Sequence, residues 1–294
     1  MAAGLAAAYR LPPRRATMEE LYADVEPAVV AGLRAFRTRV PVRRMTLHGQ
    51  DWDHVVLGDG PGTVVFLHGM AGAYDIWWQQ LEALAPTHRT ISVTYPPVHR
   101  LSELAAGILG ILDAHGAATT AVVGSSLGGY LAQYLVQRHP RRIERAVFAN
   151  TFPPNDHLRQ AHRLRAAVGR WLPERVVAAA FRHNNTRTVL PASQHAPLVA
   201  AYLAEQAQLP GLRQRLLARY HTVVEPFPIT DPSPDGIALQ LVESDNDPLL
   251  SEGLRADLRA TYGAAPVHTF HDGGHFPYLH RPAEYTEVLR GVLG

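Results

Sequence analysis

The sequence predicts an α/β protein: a doubly wound, mostly parallel sheet interrupted by an all-helical insertion. Three observations carry that reading. Apolar runs of strand length alternate with helical spacing from Thr63 to Asn150. The alternation stops over residues 152–235, where only helical patterns occur, and it resumes from Gly236 onward. Strands joined through helices form parallel sheets, because a parallel connection must cross over the sheet. The expected units are a lead-in with one helix over 1–39, a core made of 40–151 and 236–294, and a helical cap over 152–235.

Residues 1 to about 17 carry Leu11-Pro12-Pro13-Arg14-Arg15 and no acid, and read as a flexible lead-in. Met18–Phe36 reads as one helix, with Glu19 and Glu20 in its first turn and Leu21, Val25, Val29 and Leu33 on one side. After Val40-Pro41-Val42 come two strands, Arg43–Leu47 and Trp52–Leu57, about a turn at Gly49-Gln50. Asp59-Gly60-Pro61-Gly62 is a turn. Thr63–Leu67 is continuously apolar, as befits a strand covered on both faces. Helix Ile76–Leu84, strand Ile91–Tyr95, helix Leu101–His115, strand Ala121–Val123, helix Tyr130–Arg138 and strand Glu144–Asn150 follow. The insertion holds helices Asp156–Trp171, Pro173–Phe181, Ala196–Gln208 and Pro210–Val223. A strand over Gly236–Val242, a helix over Glu252–Tyr262, a strand over Pro266–Phe270 and a helix over Pro282–Leu293 complete the chain.

Composition excludes several classes. A length of 294 residues suffices for a large core, and 47% hydrophobic with 18% charged residues is ordinary for a globular chain. No apolar run approaches the roughly 20 residues of a membrane span. Met1 to Ala8 lacks a basic flank, so no secretory signal is expected. A formal charge of +2 argues against an extended nucleic-acid surface. Every basic side chain is Arg, since the chain has no Lys. The absence of Cys excludes disulfides, thiolate metal sites and a cysteine nucleophile, and leaves the cytoplasm as the default location. His268, His271 and His275 do not make a metal site, because strand spacing splits the first two between faces and no HExxH pair occurs. No cofactor is expected. The arginines Arg159, Arg163, Arg165, Arg170 and Arg175 read as a solvated helix face, with an acidic-ligand surface as the alternative. The sequence carries no signal for an oligomeric state.

The chemistry concentrates in four short stretches. Gly124-Ser125-Ser126-Leu127-Gly128 joins a strand to a helix through a tight turn, the context in which G-x-S-x-G presents a nucleophilic serine. His68-Gly69-Met70-Ala71-Gly72 follows an earlier strand, where a loop of this kind supplies backbone N–H groups to a developing oxyanion. Met70 N–H and Leu127 N–H are the expected donors, and His68 is expected to brace the loop. Asp247, after a late strand and before Pro248, is the expected acid, with Asp245 as fallback. His275, behind Gly273-Gly274, is the expected base, with His271 a poorer choice. A serine hydroxyl needs such a base to take its proton, and the base needs a carboxylate to fix its tautomer. Trp77, Trp78 and Phe276 adjoin these stretches and either line an apolar substrate pocket or belong to the core.

These motifs, in this order, resemble the α/β-hydrolase superfamily from about Val40 to the end of the chain. Within it the chain is most similar to the maspardin-like branch, through Phe36–Pro41, Tyr95-Pro96, Ser125–Gln133, Val224-Glu225-Pro226 and Gly273–Leu279. That branch is regarded as a binding protein with a degraded catalytic set. Here His68-Gly69, Asp247 and His275 are all present. The resemblance implies the fold and leaves the activity to these residues, which point to a serine hydrolase acting on a small ester, lactone or thioester through an acyl-Ser126 intermediate. C–C bond hydrolysis, amide cleavage and perhydrolysis use the same residues. A non-catalytic scaffold is the alternative of a different class. Haloalkane dehalogenases and epoxide hydrolases would carry Asp at position 126.

Overall fold

The computed structural model describes residues 15–294. Its centre is one eight-stranded sheet in the order β1-β2-β4-β3-β5-β6-β7-β8. The strands are β1 (Arg43–Leu47), β2 (Gln50–Leu57), β3 (Gly62–Leu67), β4 (His88–Thr94), β5 (Thr120–Ser125), β6 (Ile143–Ala149), β7 (Ala238–Ser244) and β8 (Val267–Phe270). β1 and β2, and β2 and β4, pair antiparallel, while the remaining pairs are parallel. β2 starts two residues earlier than expected, because His48 and Gly49 (φ 51° and 74°) form the hairpin turn themselves. Two consecutive positive φ values match the twist of the flanking strands.

Helices α1 (Pro27–Arg39), α2 (Trp78–Leu84), α3 (Leu101–Ala114) and α4 (Leu127–Arg138) cover the two faces. The expected single helix over Met18–Phe36 is in fact broken into a turn at Met18–Leu21 and α1. Pro27 is the cause: it lacks the N–H that a helix interior needs and suits a first helical position. The lead-in is also shorter than expected. Ala16 N–H donates to Gln208 Oε1 at 2.6 Å, and Thr17 and Glu20 form a reciprocal cap. The rest of that expectation, residues 1–14, lies outside the described residues.

The sheet is buried on both sides. One apolar layer gathers Trp52, Ile108, Leu131 and Phe148, and the opposite layer gathers Phe36, Phe66, Trp77 and Leu289. Every residue of β5 is buried, which explains the apolar run Ala121–Val123 at its centre.

Between β6 and β7 lie α5 (Asp156–Gly169), α6 (Glu174–Asn184), α7 (Pro197–Gln206) and α8 (Leu212–Thr222). The chain from α6 continues into a wide turn at Asn185–Val189 and a short turn at Leu190–Ala192, neither expected from the sequence. Pro191 cannot donate to the carbonyl four residues before it, and a widened turn absorbs the mismatch. A polar clasp ties α1 to α7: Arg37 pairs with Asp75 (2.7 Å) and Glu205 (2.8 Å). Tyr22 and Tyr202 hydroxyls donate to Glu205 and Asp75. The chain ends with α9 (Glu252–Thr261), a turn at Pro277–His280 and α10 (Pro282–Leu293). Among the described residues no helix is long and apolar enough to cross a membrane.

Candidate active site

β3, β5, β6, β7 and β8 are consecutive in the sheet and run parallel. Their carboxyl ends therefore lie side by side, where sheets of this kind place their sites. The residues just beyond those ends are His68–Gly72, Ser126, Asn150, Asp245–Asp247 and His271–His275.

Ser126 occupies φ 57°, ψ −120°, a region that L-residues avoid. Three bonds hold it there. Its N–H donates to Ala149 O (2.9 Å), and its carbonyl accepts from Thr151 Oγ1 (2.8 Å) and Tyr130 N–H (2.9 Å). The flanking glycines allow the crowding. A Cβ on Gly124 would stand 2.2 Å from Gly128 O, and one on Gly128 would stand 2.0 Å from Leu67 O. Ser126 is partly exposed between buried neighbours.

The loop after β3 lies against this serine. A Cβ on Gly69 would be 3.1 Å from Ser126 Cβ and 3.6 Å from its Oγ. His68 is wholly enclosed and packs at a tilt against Tyr95, with ring centres 3.9 Å apart. Burial, aided by the nearby Arg219 charge, holds its pKa well below the usual histidine value. The neutral ring donates from Nδ1 to Gly69 O (2.7 Å) and accepts at Nε2 from Tyr95 N–H (3.4 Å). His68 thus braces the loop. Among the described residues, the Met70 and Leu127 N–H groups have no protein acceptor.

The loops after β7 and β8 bring Asp247 and His275 together. His275 Nδ1 is 2.7 Å from Asp247 Oδ2 and 3.0 Å from Oδ1, and both side chains are buried. Asp247 also accepts from Leu249 N–H at Oδ1 (2.9 Å) and from Asn150 Nδ2 at Oδ2 (2.9 Å). Pro248 does not begin a helix: α9 starts at Glu252, where Ser251 Oγ accepts from Leu254 N–H. Gly274 supplies a set conformation rather than flexibility, with φ 63° and Ser193 packed where a Cβ would project. Asn246 pins this loop, accepting from Gly274 N–H (2.9 Å) and donating to Ala192 O (2.8 Å).

Three aromatic residues resolve toward the core. Trp77 is fully enclosed and stacked on Tyr278 at 3.9 Å. Trp78 is buried with its ring against Gly32 of α1, and Phe276 is buried against His275 and Tyr278. The pocket alternative is thereby corrected for both tryptophans, which face the packed layer beneath the sheet. Arg163, Arg165, Arg170 and Arg175 are exposed, and Arg159 pairs with Asp156.

Two residues escape the sequence reading. Asn150 is buried at φ 42°, and its side-chain N–H groups reach Asp247, Gly274 O (3.3 Å) and Ser244 Oγ (3.3 Å). It binds the ends of β6, β7 and the His275 loop together. Its signal was a polar residue closing an apolar strand. Arg219 is buried on α8 and donates to Met70 O. Its signal was a charge at a position that shares the inward face with Leu212 and Leu216.

A sheet of this topology, with a serine on a strained strand-to-helix turn, defines the α/β-hydrolase class. The chain belongs to the α/β hydrolase fold family, whose family model matches residues 62–282. Maspardin from Danio rerio is 28% identical over 264 residues, covering 85% of this chain and 81% of that protein. A solved hydrolase from Pseudomonas aeruginosa PA01 superposes with a TM-score of 0.75 at 20% identity, covering 86% of this chain and 98% of that one. The enol-lactonase from Burkholderia xenovorans LB400 gives 0.70 at 17% identity, covering 85% and 99%.

Proposed function

We propose that the protein is a serine hydrolase of small carboxylic esters, lactones or thioesters, working through an acyl-Ser126 intermediate. The observation that carries this reading is the enclosed His275–Asp247 pair, with both Asp247 oxygens engaged. A carboxylate at Nδ1 keeps the proton on that nitrogen and leaves Nε2 free to accept one. Ser126 Oγ then loses its proton to His275 as it attacks the substrate carbonyl. The tetrahedral oxyanion is received by Met70 N–H and Leu127 N–H, and the helix N-terminus at Leu127 adds partial positive charge. His275 returns the proton to the leaving group, and water repeats the sequence to release the acid. In this reading the helices of 152–235 act as a cap that selects the substrate.

The similarity to maspardin along most of the chain favours a second reading, a binding protein that does not turn over substrate. Pre-steady-state hydrolysis of p-nitrophenyl acetate separates the two. A burst stoichiometric with enzyme, lost together with turnover in Ser126→Ala, is the expected result. Turnover that survives in Ser126→Ala, or its absence in the folded wild type, would overturn the hydrolase reading.

A further inference from the structure

Two arginines, one turn apart on α8, are drawn into the protein with no carboxylate paired to either guanidinium; Glu174 of α6 acts on Arg215 only from beyond ion-pair distance. Arg219 is 5% exposed and Arg215 is half-buried. Among the described residues neither enters an ion pair, and residues 1–14 contain no Asp or Glu to supply one. Arg215 donates to Pro210 O and Gln206 O, and Arg219 to Met70 O. The second terminal nitrogen of Arg219, NH2, is enclosed and makes no hydrogen bond. Its guanidinium also lies over the Tyr95 ring at 5.9 Å, a weak partner for a full charge.

Arg37 shows the ordinary solution. It is also largely buried, and there two carboxylates, Asp75 and Glu205, embrace the guanidinium. Arg219 has instead a second cation beside it. Burial and Arg215 together push its pKa down to about 10, the mark of a charge missing its partner. An unpaired buried cation is costly to fold and calls for an anion.

The location says which anion. Arg219 is bonded to Met70 O, and Met70 follows Gly69, the residue packed against Ser126. A carbonyl oxygen held by Met70 N–H would sit within a short acyl chain of that guanidinium. We propose that Arg219, with Arg215 behind it, binds a carboxylate carried by the acyl part of the substrate. The natural substrate is then an anionic ester or lactone, such as a half-ester of a dicarboxylic acid. The Met70 side chain, packed on Leu212 and Leu216 of the same helix, is the adaptable group that gives way to admit it.

This inference rests on the acyl-Ser126 reading, so the test separates the two. The p-nitrophenyl monoester of glutaric acid is compared with p-nitrophenyl valerate, in which a methyl replaces the carboxylate. Wild-type enzyme is expected to favour the glutarate roughly 10- to 100-fold in kcat/KM, the worth of a charge-assisted hydrogen bond. Arg219→Met should lose that preference, its kcat/KM falling at least about tenfold further on the glutarate than on the valerate. Arg219→Lys should keep part of the preference, because it keeps a charge without the fork. Valerate hydrolysed as well as glutarate by the wild type overturns the anion site and leaves acyl-serine chemistry standing, a result that needs no variant. Equal losses on both esters in Arg219→Met assign Arg219 to holding the Met70 loop and also overturn it. Hydrolysis of neither ester by the folded wild type overturns both readings together.

Discussion

His271 and His275 each hold an aspartate through Nδ1 at 2.7 Å, four residues apart on one loop. The pairs differ in their surroundings. The His271–Asp245 side chains are 85% and 44% exposed, whereas those of His275–Asp247 are 4% and 0% exposed. In water such a pair is screened and competes with solvent for every bond, so it contributes little. Enclosed, it keeps one geometry, and losing either partner strands the other. Asp247 is further gripped by Asn150 and Leu249 N–H, while Asp245 relies on Asp272 N–H and His271. Residue type and distance are alike, so burial and the supporting bonds distinguish a candidate catalytic pair from a surface one.

Removing the buried carboxylate should have the largest effect. Asp247→Ala is expected to lower kcat by about 10³- to 10⁴-fold, the usual consequence of freeing the base's tautomer. Asp245→Ala measured on the same ester should stay within about twofold of wild type. Equal losses in the two variants would erase the distinction drawn between the pairs.

Asn150 sharpens the comparison, since it is the support that Asp245 lacks. Asn150→Ala leaves Asp247 with one fewer buried donor and should destabilise the fold by about 1–3 kcal/mol in urea titration. A smaller change would mean that Leu249 N–H and His275 suffice to hold the carboxylate.

A half-buried histidine with no acid beside it should make stability depend on pH. His162 on α5 has an enclosed Nδ1 without a partner, and burial, with Arg165 nearby, lowers its pKa to about 4. The unfolded imidazole takes a proton near pH 6.5, so between about 6.5 and 4 the unfolded chain binds more protons. Stability therefore falls as pH drops through that window, and His68, shifted in the same direction, adds to the loss. His162→Phe should flatten part of the decline in Tm between pH 6.5 and 4. An unchanged slope would show that His162 is not held neutral.

The smallest effect is expected at the exposed pair. Asp245 is held below the usual carboxylate range, chiefly by Asp272 N–H and then by His271. A depressed carboxylate stabilises the fold above its unfolded value of about 3.8, and that contribution is lost as pH falls through the lower folded value. Because the pair is open to solvent, Asp245→Asn should change stability at pH 7 by no more than about 0.5 kcal/mol.

The pattern of success along the chain has a physical basis. Strand and helix order is written locally, in apolar runs and their spacing, and so was the turn at Ser126. The loops bearing Asp247 and His275 were legible for the same reason: each follows a strand. What escaped depends on groups distant in sequence. Asn150 gains its role from Asp247, 97 residues away, and Arg219 from Met70, 149 residues away. Trp77 and Trp78 adjoin the motif loop in sequence, yet packing turns them beneath the sheet. The break before α1 was readable in Pro27, where apolar spacing on either side concealed it.

The central claim is that Ser126 is an activated nucleophile served by the enclosed pair. Labelling the purified protein with a fluorophosphonate probe, followed by mass spectrometry of the modified peptide, tests it most directly. A single adduct on Ser126, formed by the wild type and absent from Ser126→Ala, is the predicted result. A folded wild-type protein that remains unlabelled, or carries its adduct on another residue, would contradict the account.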